Sequence, residues 1–188
     1  MAALGDSLTA GYGLGAEEGF VPQLQDWLDA REVDAVIVNA GLSGDTTAGG
    51  LSRVDWTLTD DVDALIVALG ANDYLRGLPP EQARENLSGI LDAAAAKDLP
   101  VLLVGVEVGA NYGPDYQAAF DAIYPELAEE YDTALYPSWF TALIEEAGSQ
   151  ADLGPWMQAD GLHPNAEGVR IIVEGMGPAV EELVRAAD

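Results

Sequence analysis

The stretch Ala64-Leu65-Ile66-Val67-Ala68-Leu69 runs without a break into Gly70-Ala71-Asn72-Asp73. Six consecutive apolar residues are too short for an ordinary helix and show no polar face, which is how a strand covered on both sides reads. Glycine ends the run, and an amide and a carboxylate stand just beyond it. The arrangement recurs. Ala35-Val36-Ile37-Val38-Asn39 and the segment from Val101 to Val106 read as buried strands of the same kind, Ala2 to Leu4 as a strand stub, and Ala134-Leu135-Tyr136 as a short last strand. Helical spacing fills the intervals: Phe20, Val21, Leu24, Trp27 and Leu28; then Leu87, Ile90, Leu91 and Ala94 in a helix beginning near Pro79-Pro80. Tyr116, Ala119, Phe120, Ile123 and Leu127 mark another, bent by Pro125. Asn165 is placed to cap a final helix running towards Val184. Strand and helix alternating in this way predict an α/β domain, a parallel sheet with helices on both faces. In such sheets ligands bind beyond the carboxyl ends of the strands, so the loops that follow strands are where chemistry is expected.

Composition narrows the function. The 188 residues read as one domain, 1–188, with 49% hydrophobic and 21% charged residues. Seven basic against 33 acidic side chains give a net charge of −26, and six of the seven are Arg. Such a chain repels phosphate backbones and anionic membrane surfaces, so nucleic acid is excluded as a partner. The acidity itself fits a strongly hydrated, salt-adapted surface. There is no cysteine and a single histidine, His163. Thiolate chemistry, disulfides and a zinc site built on several imidazoles are thereby removed. No apolar run reaches the ~18 residues of a membrane span. Met1-Ala2-Ala3-Leu4 is too short for the apolar core of a signal peptide, and the abrupt start leads us to expect that a leader, or the beginning of the first strand, has been removed.

Four post-strand segments carry the polar residues: Gly5-Asp6-Ser7-Leu8, Ser43-Gly44-Asp45-Thr46, Gly70-Ala71-Asn72-Asp73 and Asp160-Gly161-Leu162-His163-Pro164. Of six serines, Ser7 alone follows the first strand directly, in a turn that would present its hydroxyl at the sheet edge. A serine hydroxyl is a poor nucleophile unless a base adjoins it. His163 is the only imidazole available, and a turn through Gly161 would bring Asp160 against its Nδ1 and leave Nε2 for Ser7. Turn and capping roles remain open for each residue taken alone. Oxyanion donors are offered by the Ser7 and Gly44 N–H groups and the Asn72 amide. Asp73 reads as a buried brace between loops, since its charge would oppose an oxyanion.

Taken in order, these four segments resemble the blocks of the SGNH hydrolases, the GDSL esterases and lipases, and the likeness extends over essentially the whole chain. It is closest to the small bacterial thioesterase/arylesterase/lysophospholipase branch, to which Gly109-Ala110-Asn111-Tyr112-Gly113, Tyr124-Pro125 and Trp156-Met157-Gln158 are also similar. The resemblance implies a flavodoxin-like three-layer α/β/α sandwich on a five-stranded parallel sheet of order 2-1-3-4-5. It implies Ser7 as nucleophile, His163 as base then acid, Asp160 as its orienter, and Ser7 N–H, Gly44 and Asn72 as the oxyanion hole. It further implies small-molecule ester substrates, no metal or organic cofactor, and a periplasmic or secreted location; a monomer or weak homo-oligomer is expected.

Two departures stand out. Ala71 replaces a frequent second glycine, which is tolerable only if that backbone position avoids φ > 0. Gly109 stands where the branch often has proline, which should loosen its loop. An acyl groove is expected from Tyr74, Leu75 and Leu78 after the third strand, Val108, Ala110 and Tyr112 after the fourth, and Trp156, Met157 and Leu162 beside the Asp-His segment.

Other readings fare worse. Gly11-Tyr12-Gly13-Leu14-Gly15 fails the dinucleotide spacing because the next glycine, Gly19, comes one residue late, and the second strand ends in Asn39 rather than an acidic residue. A non-catalytic binding domain would have no need of all five block residues. A carbohydrate O-deacetylase would use the same machinery, but would want a more polar pocket than Leu75, Trp156 and Met157 provide.

Overall fold

The computed structural model describes residues 1–187. Five strands, β1 (Ala2–Gly5), β2 (Val38–Gly41), β3 (Leu65–Ala68), β4 (Val101–Val104) and β5 (Ala134–Tyr136), form one sheet of order β2-β1-β3-β4-β5. Every pairing is parallel. The helices are α1 (Ser7–Ala10), α2 (Phe20–Asp29), α3 (Thr47–Thr57), α4 (Ala71–Leu75), α5 (Pro80–Ala95), α6 (Pro114–Asp121), α7 (Ile123–Glu130), α8 (Thr141–Ala147) and α9 (Ala166–Ala187).

Side chains alternate across the strands, and the alternation builds two cores. Ala3, Ile66, Ala68, Leu102 and Val104 pack with Phe20, Leu24 and Leu28 of α2, Leu143 of α8 and Ile172, Met176 and Val180 of α9. Ala2, Leu4, Leu65, Val67, Val101 and Leu103 pack with Val54 of α3, Leu87 and Ile90 of α5, and Phe120, Ile123 and Leu127 of α6 and α7. This is the three-layer sandwich with the strand order expected. No helix among the described residues is long and apolar enough to cross a membrane.

Three details differ from the sequence reading. The second strand lies later than Ala35–Asn39 and is not buried: it is an edge strand paired only to β1, with Val36 and Val38 73% and 53% exposed. The expected helix through Pro125 is two helices meeting at Ala122. Pro125 has no N–H to offer the Asp121 carbonyl four residues back, so the first helix ends there. Finally, α3 and α8 carry only weak apolar patterns. The first is set by its N-cap instead, the Thr46 side chain accepting from the Gly49 N–H at 3.2 Å. At the other end of the chain Asn165 behaves as expected, accepting from the Gly168 N–H at 3.0 Å.

Candidate active site

β1 delivers Ser7 directly. Asp6 caps the single turn of α1 through the Leu8 N–H (3.0 Å), which turns the backbone immediately after the strand and leaves Ser7 at the helix start. From the opposite end of the chain, the loop before α9 brings in the imidazole. His163 Nε2 lies 2.8 Å from Ser7 Oγ, and His163 Nδ1 lies 2.7 Å from Asp160 Oδ2. The other Asp160 oxygen accepts from the backbone N–H of Leu162 (2.9 Å) and of His163 (3.0 Å). The turn runs through Gly161 at φ 66°. The His163 side chain, ahead of the His163 and Leu162 backbone N–H groups, holds the Asp160 carboxyl down at about 2. An ionised carboxylate only accepts, so the Nδ1 proton is fixed on the Asp160 side and Nε2 is left to accept from the serine hydroxyl.

Asn72, in the first turn of α4, donates its Nδ2 to Asp6 Oδ2 at 3.2 Å. The left-handed burden of this segment falls on Gly70 (φ 124°), where a Cβ would meet the Tyr124 hydroxyl at 2.0 Å. Ala71 is already helical, so its methyl is accommodated. Gly44 has φ 81°, and a Cβ there would meet nothing closer than Arg76 Nη2 at 3.6 Å. Backbone conformation, more than crowding, is what calls for glycine at 44. Asp73 is buried and grips the start of α3 from the next strand's loop: its two oxygens accept from the Thr47 N–H (2.8 Å) and the Thr47 hydroxyl (2.6 Å).

Several residues do work that the sequence reading did not assign. Asp6 is 2% exposed, and burial pushes its carboxyl up to about 6 despite the Leu8 N–H and Asn72 amide that favour the anion. Arg53 ties β1 to β2, donating to Gly5 O (3.0 Å), Ala40 O (2.8 Å) and Asp45 Oδ2 (2.7 Å). Gln158 straps the two ends of the site together: its Nε2 donates to Tyr12 O (2.8 Å) and Pro164 O (2.9 Å), and its N–H to His163 O (2.8 Å). The Tyr12 ring lies over the imidazole with centroids 4.7 Å apart. Only Asp6 had a local signal, as the residue before a short helix.

The expected groove residues divide. Tyr74, Leu75 and Tyr112 stay together: the Tyr74 and Tyr112 rings meet edge-on at 5.9 Å, and the Tyr112 hydroxyl donates to Leu75 O. Leu75, Tyr112 and Leu162 are exposed, at 53%, 48% and 54%. Leu78 is half-buried and accepts from the Tyr116 hydroxyl through its carbonyl, and Ala110 begins an exposed single turn. Trp156 and Met157 are half-buried and pack against the α2/α9 core. Val108 is buried against α6 and α7 and borders a cleft of about 530 Å³ whose lining includes none of Ser7, Asn72, Asp160 or His163. The Gly109 loop has hydrogen bonds of its own. Its N–H, which a proline would lack, donates to the Tyr74 hydroxyl at 3.1 Å, and Gln117 holds the Val108 carbonyl at 2.8 Å.

The family model described as GDSL-like Lipase/Acylhydrolase matches residues 3–171. The chain belongs to this family. It is 38% identical over 182 residues to Esterase TesA of Pseudomonas aeruginosa, across 96% of this chain and 87% of that protein. It is equally identical, over the same length, to thioesterase 1/protease 1/lysophospholipase L1 of Escherichia coli, across 83% of that protein. Among solved structures, AlinE4, an SGNH-hydrolase family esterase, superposes with a TM-score of 0.76 at 44% identity, covering 96% of this chain and 94% of that one. As a member of this acylhydrolase family, the chain is a carboxylic ester hydrolase.

Proposed function

We propose that the chain hydrolyses short-to-medium acyl and aryl esters, acyl thioesters and lysophospholipids through an acyl-enzyme on Ser7. The observation that carries this reading is the unbroken line Asp160–His163–Ser7, with separations of 2.7 and 2.8 Å. Ser7 Oγ attacks the ester carbonyl as its proton passes to His163 Nε2, and the carbonyl π pair moves onto oxygen. That oxyanion is met by the N–H groups of Ser7 and Gly44 and the free N–H of Asn72 Nδ2, each donor worth roughly 3–4 kcal/mol of barrier. Collapse expels the alkoxide or thiolate, which takes the proton from Nε2. Water, deprotonated by the same nitrogen, then releases the acid and restores Ser7. Asp160 stays ionised throughout and stabilises the imidazolium.

Substrate breadth rests on the exposed Leu75, Tyr112 and Leu162, which offer apolar surface to an acyl or aryl group without enclosing it, and on the activities named for the two curated relatives. Covalent labelling tests the assignment. An aryl dialkyl phosphate should release one equivalent of phenol and leave its phosphoryl group on the peptide that contains Ser7, while Ser7→Ala should lose both labelling and p-nitrophenyl butyrate hydrolysis with its melting temperature intact. Turnover persisting in Ser7→Ala would refute Ser7 as nucleophile.

A further inference from the structure

Acidic side chains outnumber basic ones 33 to 7, so a cation without a carboxylate is unexpected anywhere on this surface. Six of the seven basic side chains are indeed ion-paired. The seventh, Arg76, has no ion pair among the described residues, and it sits against the Gly44 loop. It closes the C-terminus of α4, the helix that carries Asn72, and its Nη2 donates to the Gly44 carbonyl at 2.6 Å. The guanidinium is exposed and has five N–H donors, of which this contact uses one. The others form a charged fork at the rim of the oxyanion site, shaped to take a phosphate or carboxylate.

We propose that Arg76 is a specificity-determining residue that binds an anionic group carried on the leaving group of the ester, a phosphate or carboxylate a few bonds from the scissile carbonyl. The inference rests on the ester-hydrolase reading with Gly44 in the oxyanion hole. The reach is consistent. The N and O atoms of one residue lie roughly 3 Å apart, and the hydrogen bonds to oxyanion and guanidinium add about 3 Å on each side, so Arg76 Nη2 lies about 5–9 Å from the oxyanion and an anion held by the guanidinium within about 6–12 Å. A phosphate on C3 of a 1-acylglycerol spans that interval. Without a local cation, a surface of charge −26 would turn such a substrate away.

The decisive measurement is a ratio: kcat/KM for 1-butyrylglycerol 3-phosphate over kcat/KM for 1-butyrylglycerol, in the wild type, Arg76→Gln and Arg76→Lys. Both variants disturb the Gly44 carbonyl, but that loss is common to the two substrates and cancels. The ratio should fall about two- to fivefold in Arg76→Gln, the range of an exposed charge pair, and by less than half as much in Arg76→Lys. A second pair, 1-palmitoylglycerol with and without the phosphate in neutral detergent micelles, separates the sources. A fall in the micellar pair alone identifies a lipid headgroup as the anion, and a fall in the soluble pair extends recognition to free phosphate esters. Ratios unchanged in both pairs overturn the proposal and leave Arg76 as a clamp on the loop. A wild type inert towards 1-butyrylglycerol and p-nitrophenyl butyrate alike would instead overturn the ester-hydrolase reading.

Discussion

Asp6→Asn should make the protein more stable and less active, by amounts the structure sets. The folded chain holds this carboxyl at about 6 against 3.8 for an open aspartate, chiefly through burial. That difference corresponds to about 3 kcal/mol. Since the native state keeps the proton to higher pH than the unfolded chain, the stability linked to this group is complete below about pH 4 and lost as pH rises through 6. At pH 8 the wild type therefore carries the full penalty of a buried anion, which a neutral amide avoids. The amide oxygen can still accept from Leu8, but its NH2 would face the NH2 of Asn72, forfeiting a hydrogen bond of about 1 kcal/mol. A net gain of about 1–2 kcal/mol at pH 8, vanishing or reversing near pH 4, is the expected outcome. Urea unfolding of both proteins across this range measures it, and the other acidic groups titrate alike in the two and drop out of the difference. With its partner lost, Asn72 should swing from the oxyanion site, lowering kcat about 10–100-fold with KM nearly unchanged. A stability difference that stays constant from pH 4 to 8 would refute the assignment of a buried, ionising Asp6.

Asp160→Asn should lower kcat by on the order of 10³–10⁴ by allowing the wrong imidazole tautomer. Because the wild-type carboxyl is held at about 2, its own protonation should leave no mark on a kcat/KM profile above pH 4. Gln158→Leu removes both side-chain donors of the strap between Tyr12 and Pro164. Thermal melts should show a loss of about 4–8 °C, and steady-state assays a fall in kcat larger than any change in KM. Molar salt should raise the melting temperature by screening the −26 surface, and equal melting temperatures in dilute and concentrated salt would count against self-repulsion.

The buried strands and the helices with strong apolar stripes could be read from the sequence because burial on both faces, or on one stripe, leaves a pattern along the chain. β2 could not be bounded that way. An edge strand needs no apolar cover on its outer side, and the apolar residues that suggested a strand at Ala35–Asn39 include Val36 and Val38, which face solvent. The helix at Thr47–Thr57 was invisible for a related reason. It contains Gly49 and Gly50, and its start is fixed by Thr46 and by Asp73, a residue from another strand's loop. Ser7, His163, Asp160, Gly44 and Asn72 could be singled out because their four blocks stand in order at strand ends and in the loop before α9, whereas each residue alone fits a turn or cap. Gln158, Arg53 and Arg76 act through backbone carbonyls distant in the chain, contacts that leave no trace in local spacing. Trp156 and Met157 were assigned to the groove by proximity to His163; both are partly buried and pack against the α2/α9 core, with Met157 bridged to Pro164.

The separation of Ser7 from His163 by 156 positions bears on biosynthesis. A ribosome has made all five strands and helices α1 to α8 before the imidazole exists, and α9 still has to emerge and dock beside α2 before the loop ahead of it is fixed. Products that stop short of α9 should therefore be inert towards cellular esters, and turnover becomes a direct reporter that the chain through α9 has been made and has docked.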